Sequence, residues 1–436
     1  MLATLKTIPN VVRPATNSAL FDIATLVNAV YQLNIEPTQA GKIPKRIATK
    51  LRPLVKGEPR LDYNENDDYI QMMLVLMQNM RIVQTTQPAL ADAKPRIEPG
   101  SYLPQWAQMN MREQTTRLLE QWAGNLNYLD VAGIEYDPWE AYSYYYQDTL
   151  KGRKALLNQL RTCTAGDWYS TESCLKHIYE EEPKALRQAY GYITKEQRKQ
   201  KEPYQQWRSS DGEMYLGMLY ASLYEIGIVE LGFDKDPDQG EEGNNPIAFM
   251  LTDLGAAALA PETSKGTVKS DEPETQALIV QPSFEILLLH PDLPTLYSVL
   301  PFTQVNQIST ASRLALTQAA LLRGLKAGKN VELIVRTLQE HSQKELPQNV
   351  IYTLYDWAKQ YKEVRVSSAL LFEVPNEAIA NQICSLAKLQ LYGIRQIAPC
   401  MLVINSDANL RDVKSVLEKE GIVIHLSSNL GKKAGR

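Results

Sequence analysis

The amino-acid sequence predicts an α+β multidomain protein: helix-turn-helix and winged-helix modules followed by a C-terminal α/β domain. Three observations predict it. The chain has 436 residues, material for about three domains at roughly 150 residues each. Two stretches rich in turn and linker residues, 85–105 and 261–276, divide it. Before the second stretch the hydrophobic period is mainly helical, and beyond it helical runs alternate with strand-like ones, the pattern of a mixed domain.

The first module is expected over 1–84. Asn17 and Ser18 are placed to cap an amphipathic helix through Phe21, Leu26, Val30 and Leu33. A turn from Glu36-Pro37 to Gly41 leads to a second helix, Ile43 to Val55, which Pro53 should end early. A third starts near Asp67 and runs through Tyr69, Met72, Met73, Leu76 and Met80. Three short helices with tight connections suggest a helix-turn-helix. Residues 85–150 are expected to form a linker and an acidic, aromatic helical connector. From Leu118 to Leu150 the chain has six acids and no Lys or Arg, so its aromatics fit packing or a protein partner better than base stacking.

A winged-helix domain is expected over 151–260. Its order is helix (Ala155 to Leu160), short strand (Trp168-Tyr169), helix capped by Ser170, helix (Glu213 to Glu225), hairpin, and a last helix capped by Thr252. The helix before the hairpin offers Met214, Tyr215, Leu216, Met218, Leu219, Tyr220 and Leu223. Base edges demand polar side chains, so this helix fits burial. Residues 277–428 are expected to form the α/β domain, with strands at Ala277 to Leu289, Val364 to Val374, Cys400 to Ile404 and Ile422 to Ile424, and 429–436 a basic tail.

Composition narrows the function classes. The longest strictly apolar run, Met72 to Met77, is far short of the roughly 18–20 residues of a membrane span. No secretory hydrophobic region precedes it, and the chain is expected to stay in the cytoplasm. Cys163, Cys174, Cys384 and Cys400 lack metal-ligand spacing, as do the four histidines, so no metal and no cofactor are expected. Gly324 to Asn330 ends its glycine run in Gly-Lys, but Asn330 stands where a phosphate loop needs a hydroxyl. No self-contained active site is expected.

The net charge of −4 hides a segregation. Residues 1–60 carry nine Lys/Arg and three Asp/Glu, residues 61–276 carry 20 and 34, and residues 277–436 carry 17 and 13. The densest cationic run is Lys42, Lys45, Arg46, Lys50, Arg52, Lys56 and Arg60, a candidate surface for DNA phosphates or a solvated basic face. A second candidate surface, for a protein partner, is Leu287, Leu288 and Leu289 with Tyr297, Val299, Leu300 and Phe302.

Several words in the last third resemble a known family. Leu278-Ile279-Val280-Gln281-Pro282-Ser283-Phe284-Glu285, Thr310 to Leu314, Leu322 to Gly328, Leu346 to Val350 and Tyr355-Asp356-Trp357 resemble the N-terminal domain of XPB-type DNA repair helicases. The likeness is to its version in bacterial helicase-associated proteins and covers about 277–425. Leu223 to Glu230 and Phe249 to Gly255 are similar to the winged-helix segment that precedes it there. The resemblance implies a DNA-associated role with a separate helicase as partner. The helicase motor motifs have no counterpart here, so no catalytic residue carries over, and the expected function is a non-catalytic adaptor. The alternative is a scaffold or transcription-associated regulator that contacts only protein.

Overall fold

The structure, a computed structural model, describes residues 2–58, 68–86, 94–125, 130, 149–186, 202–235, 246–260, 276–290, 292–362, 369–405 and 409–425. The connector aromatics from 131 to 148, most of the second linker and the basic tail lie outside the described residues. The protein mixes helices with small sheets, and every described strand pairs antiparallel. It divides into two compact units, 1–361 and 362–436. The boundary falls inside the stretch 277–428 expected as one domain.

The first unit is built around the helix Ser18–Gln32, in which every residue from Ser18 to Ala29 is buried. The sequence suggests an amphipathic helix, but distant segments cover its polar side as well. Asn28 shows how: its Nδ2 donates to the carbonyls of Leu300 and Thr303, both at 2.9 Å, and its Oδ1 accepts from Val305 N. Asn17 does not cap this helix with its side chain. It adopts φ 49° and lies against Gly227, whose own φ of +90° ends the helical run before it.

The two other N-terminal helices are Lys45–Leu51, continued by the 3-10 turn Arg52–Leu54, and Asp68–Asn79. The expected linker at 85–105 instead contains ordered structure. Val83–Thr86 pairs with Arg96–Pro99 as a hairpin, and Leu103–Trp106 is a short helix. Prolines at a strand end and at a first helical turn are compatible with both elements. The helix Met111–Gly124 follows, held by a capping box between Asn110 and Glu113.

Next come the helix Thr149–Leu160, the strand Trp168–Ser170 and the helix Thr171–Glu181, which Ser170 caps by accepting from Ser173 N. A helical run from Pro203 to Ile226 contains two π-helical stretches, Arg208–Gly212 and Met218–Leu223. The strands Val229–Phe233 and Ala248–Leu251 return antiparallel, and Thr252 caps Asp253–Leu259 with its hydroxyl. Arg153, fully buried, ties this part to the preceding connector through a 2.8 Å ion pair with Asp130. Asp130 also accepts from the Trp122 indole N–H and from Ser222.

Residues 278–315 form a four-stranded sheet in the order Leu278–Val280, Glu285–Leu288, Ser312–Ala315, Gln304–Gln307. The helices Leu293–Val299, Gln318–Lys326, Val331–His341 and Gln348–Lys359 accompany it. The second unit has its own core. Its sheet runs Ala369–Glu373, Met401–Asn405, Arg395–Ala398, and Leu402 and Ile404 are buried with Ala380, Ile383, Val413 and Leu417 of its helices. Ile422 to Ile424 forms no strand, although Ile422 and Ile424 pack against that core.

Candidate nucleic-acid interface

The basic segment is presented outward by a short, firmly held element. In the helix Lys45–Leu51, Ile47, Ala48 and Leu51 point inward, which leaves Lys45, Arg46 and Lys50 exposed. Lys42 lies before the helix, in a turn where Gly41 takes φ +75° and Lys42 N donates to Thr38 Oγ1. Lys56 is exposed beyond its end, and Arg60 lies outside the described residues.

Two clamps hold this element. At its start the Gln71 amide grips Ile43 at both backbone groups, accepting from N and donating to O at 3.0 Å each. At its end the buried carboxylate of Asp22 accepts from Lys56 N at 2.7 Å, Gly57 N at 2.8 Å and Tyr69 Oη at 2.7 Å. Burial pushes the Asp22 carboxyl above its ordinary pKa, against the pull of those hydrogen bonds and of Arg52. Arg52 is half-buried. Its guanidinium lies 5.7 Å from the Tyr69 ring centroid and donates to the carbonyls of Val55 and Gly57. Its charge is therefore directed into the module, whereas Lys42, Lys45, Arg46, Lys50 and Lys56 are exposed.

The last helix before each of the two N-terminal hairpins is largely buried. In Asp68–Asn79 the side chains of Tyr69, Ile70, Met72, Met73, Leu74, Leu76 and Met77 are buried, and in Met214–Leu223 all but Tyr220 are. The arrangement offers cations for phosphate contact without a base-reading helix. Among the described residues no group of three His, Cys, Asp or Glu could hold a metal ion.

The expected partner surface needs correction. Leu288, Tyr297, Val299, Leu300 and Phe302 are buried in the core of the first unit, and Leu287 is half-buried. Leu289 alone of the seven is exposed. The reason is that Leu300 to Thr303 packs on the helix Ser18–Gln32, a neighbour about 270 residues away that local pattern does not reveal. Sequence reasoning also missed the hairpin 83–86/96–99, which exposes Arg96 beside Lys94, the latter paired with Glu36 at 3.1 Å. The available signal was the alternation Arg96 out, Ile97 in, Glu98 out.

No curated protein matches the chain. Residues 278–398, which span the four-stranded sheet, its helices and two strands of the second unit, match the model of a family described as "Helicase conserved C-terminal domain". By that similarity this stretch is a helicase-related domain.

Proposed function

We propose that the chain is a motor-less, helicase-associated adaptor that binds DNA weakly through phosphate contacts and positions a separate helicase or DNA-processing protein. The observation that carries this reading is the outward cationic element Lys42 to Lys56, clamped by Asp22 and Gln71. A surface held this rigidly loses little freedom on binding. The helicase-family match over 278–398 gives the setting. Among the described residues the strands of that match pair antiparallel, with one another or with Met401–Asn405 just beyond it, apart from the single parallel bridge of Leu278 to Ser342, whereas a phosphate-loop motor is built on strand–loop–helix units of a parallel sheet. This supports reading the match as the XPB N-terminal-like domain rather than as a motor half.

The order of elements from Thr149 to Leu251, helix, strand, helix, helix and hairpin, supports a winged helix. The order of Ser18 to Pro99, three helices and a hairpin, supports a second. Their buried third helices favour packing over sequence reading. Duplex binding titrated against salt tests the proposal. Four or five phosphate contacts give log K a slope against log salt of roughly −4, at about −0.9 per contact. Replacing Lys45, Arg46 and Lys50 with Glu should flatten that slope on every DNA sequence. Unchanged binding by the triple variant would rule this surface out, and absence of salt-dependent duplex binding by the original chain would favour the protein-only scaffold.

A further inference from the structure

The three strands Trp168–Ser170, Ala248–Leu251 and Val229–Phe233 form a sheet whose two outer strands are both paired by one short segment of the same chain. Residues 3–5 lie along one edge: Thr4 bridges Tyr169, Leu5 N donates to Trp168 O at 2.8 Å, and Ser170 N donates to Ala3 O at 3.1 Å. Residues 11–13 lie along the other edge, with Val11 opposite Phe233, Val12 opposite Gly232 and Arg13 opposite Leu231. Pro9, between them, is buried. A Cβ placed on Gly232 would stand 2.3 Å from Pro9 Cγ and 2.9 Å from Trp168 Cζ3. The missing side chain of Gly232 is thus the seat of Pro9 beside the Trp168 indole. Asn10 completes the fastening by donating to the carbonyl and carboxylate of Asp234.

The segment is held by backbone pairing and by a few side-chain seats: Leu2 in the core, Pro9 on Gly232, Asn10 on Asp234 and the Arg13 guanidinium 5.4 Å from the Phe233 ring centroid. Of residues 2–13 only Leu2 and Pro9 are buried, and Ile8 is 73% exposed. Strand addition of this kind draws affinity from main-chain hydrogen bonds and selectivity from a few side-chain seats. A segment with so little buried apolar surface opens at a lower free energy than the sheet it covers.

We propose that this sheet is a docking surface for an extended peptide segment, and that residues 3–13 are its resident occupant, exchanged for a partner's segment of the same pattern. That pattern is two short strand-forming stretches joined by a connector with a proline for the Gly232 seat. The proposal stands apart from the DNA surface, since none of its residues belongs to Lys42 to Lys56.

The test uses the full chain and, as probe, a fluorescein-labelled peptide of residues 2–14. In hydrogen exchange on the unaltered chain, residues 3–13 should exchange at least tenfold faster than strand 248–251. Pro9→Asp should weaken the resident segment, raise affinity for the probe at least tenfold over the unaltered chain, and speed tryptic cleavage after Lys6. A probe carrying the same Pro9→Asp change should not bind. A folded Pro9→Asp chain that takes up no probe would overturn the proposal. So would exchange of residues 3–13 only through global unfolding, a result that needs no variant to fold and would make the segment a permanent guard of the sheet edges.

Discussion

The indole N–H of Trp106 donates to the hydroxyl of Tyr297 at 2.8 Å, between two buried residues 191 positions apart. This bond joins the short helix after the N-terminal hairpin to the first helix of the 278–398 match. Burial pushes the Tyr297 hydroxyl pKa up, so it stays protonated and keeps its proton while accepting from the indole.

Tyr297→Phe should therefore leave the Trp106 N–H without an acceptor in the core. The cost of such an orphaned donor is about 1–3 kcal/mol. Denaturant titration should show a lower midpoint with an unchanged slope.

Asp22→Ala should cost more, about 3–5 kcal/mol, because three donors lose one shared acceptor. It should also loosen the cationic element locally, read as faster amide exchange at Lys56 and Gly57. Asp22→Asn tests the pH dependence. The carboxyl binds its proton more tightly folded than unfolded, so its contribution to stability is full below about 3.8 and declines as pH rises to the raised folded value. Asn should remove that decline. A parallel stability curve for the variant and the original chain over this window would show that Asp22 is not its source.

Arg153→Ala should strand the buried Asp130 carboxylate, at a cost of about 3–5 kcal/mol. Thermal unfolding of the variant measures this. Restoring stability with a second change, Asp130→Asn, would identify the uncompensated charge as the cause.

The four thiols should alkylate in a fixed order at pH 8. Burial pushes the Cys163 thiol up to about 12 and raises that of Cys174 further, while Cys400 is exposed. Iodoacetamide labelling followed by peptide mass mapping should find Cys400 modified early and Cys174 last. Early labelling of Cys174 would mean that its helix opens readily.

Local pattern carried much of this architecture. Thr252 and Ser170 cap the helices that their spacing predicts, and the basic run is exposed where its period around Ile47, Ala48 and Leu51 puts it. What pattern could not supply was the identity of distant neighbours. Arg52 looks like its cationic neighbours in sequence, yet Tyr69 and the Gly57 carbonyl claim it. Tyr297 and Phe302 look like surface material around prolines, yet Trp106 and Gly324 lie against them. The hairpin at 83–99 was hidden because its prolines read as breakers when one of them only ends a strand.

The central helix Ser18–Gln32 also sets a timetable for synthesis. Asn28 finds its carbonyl partners 272 and 275 residues later. At about 5–20 residues per second on a ribosome, this helix is made roughly 14–55 s before the groups that cover it emerge. During that interval Leu20, Ile23 and Val27, all fully or nearly fully buried at the end, are without those partners. A nascent chain stalled near residue 250 should therefore be a better chaperone client than one stalled beyond residue 361, where the first unit is complete.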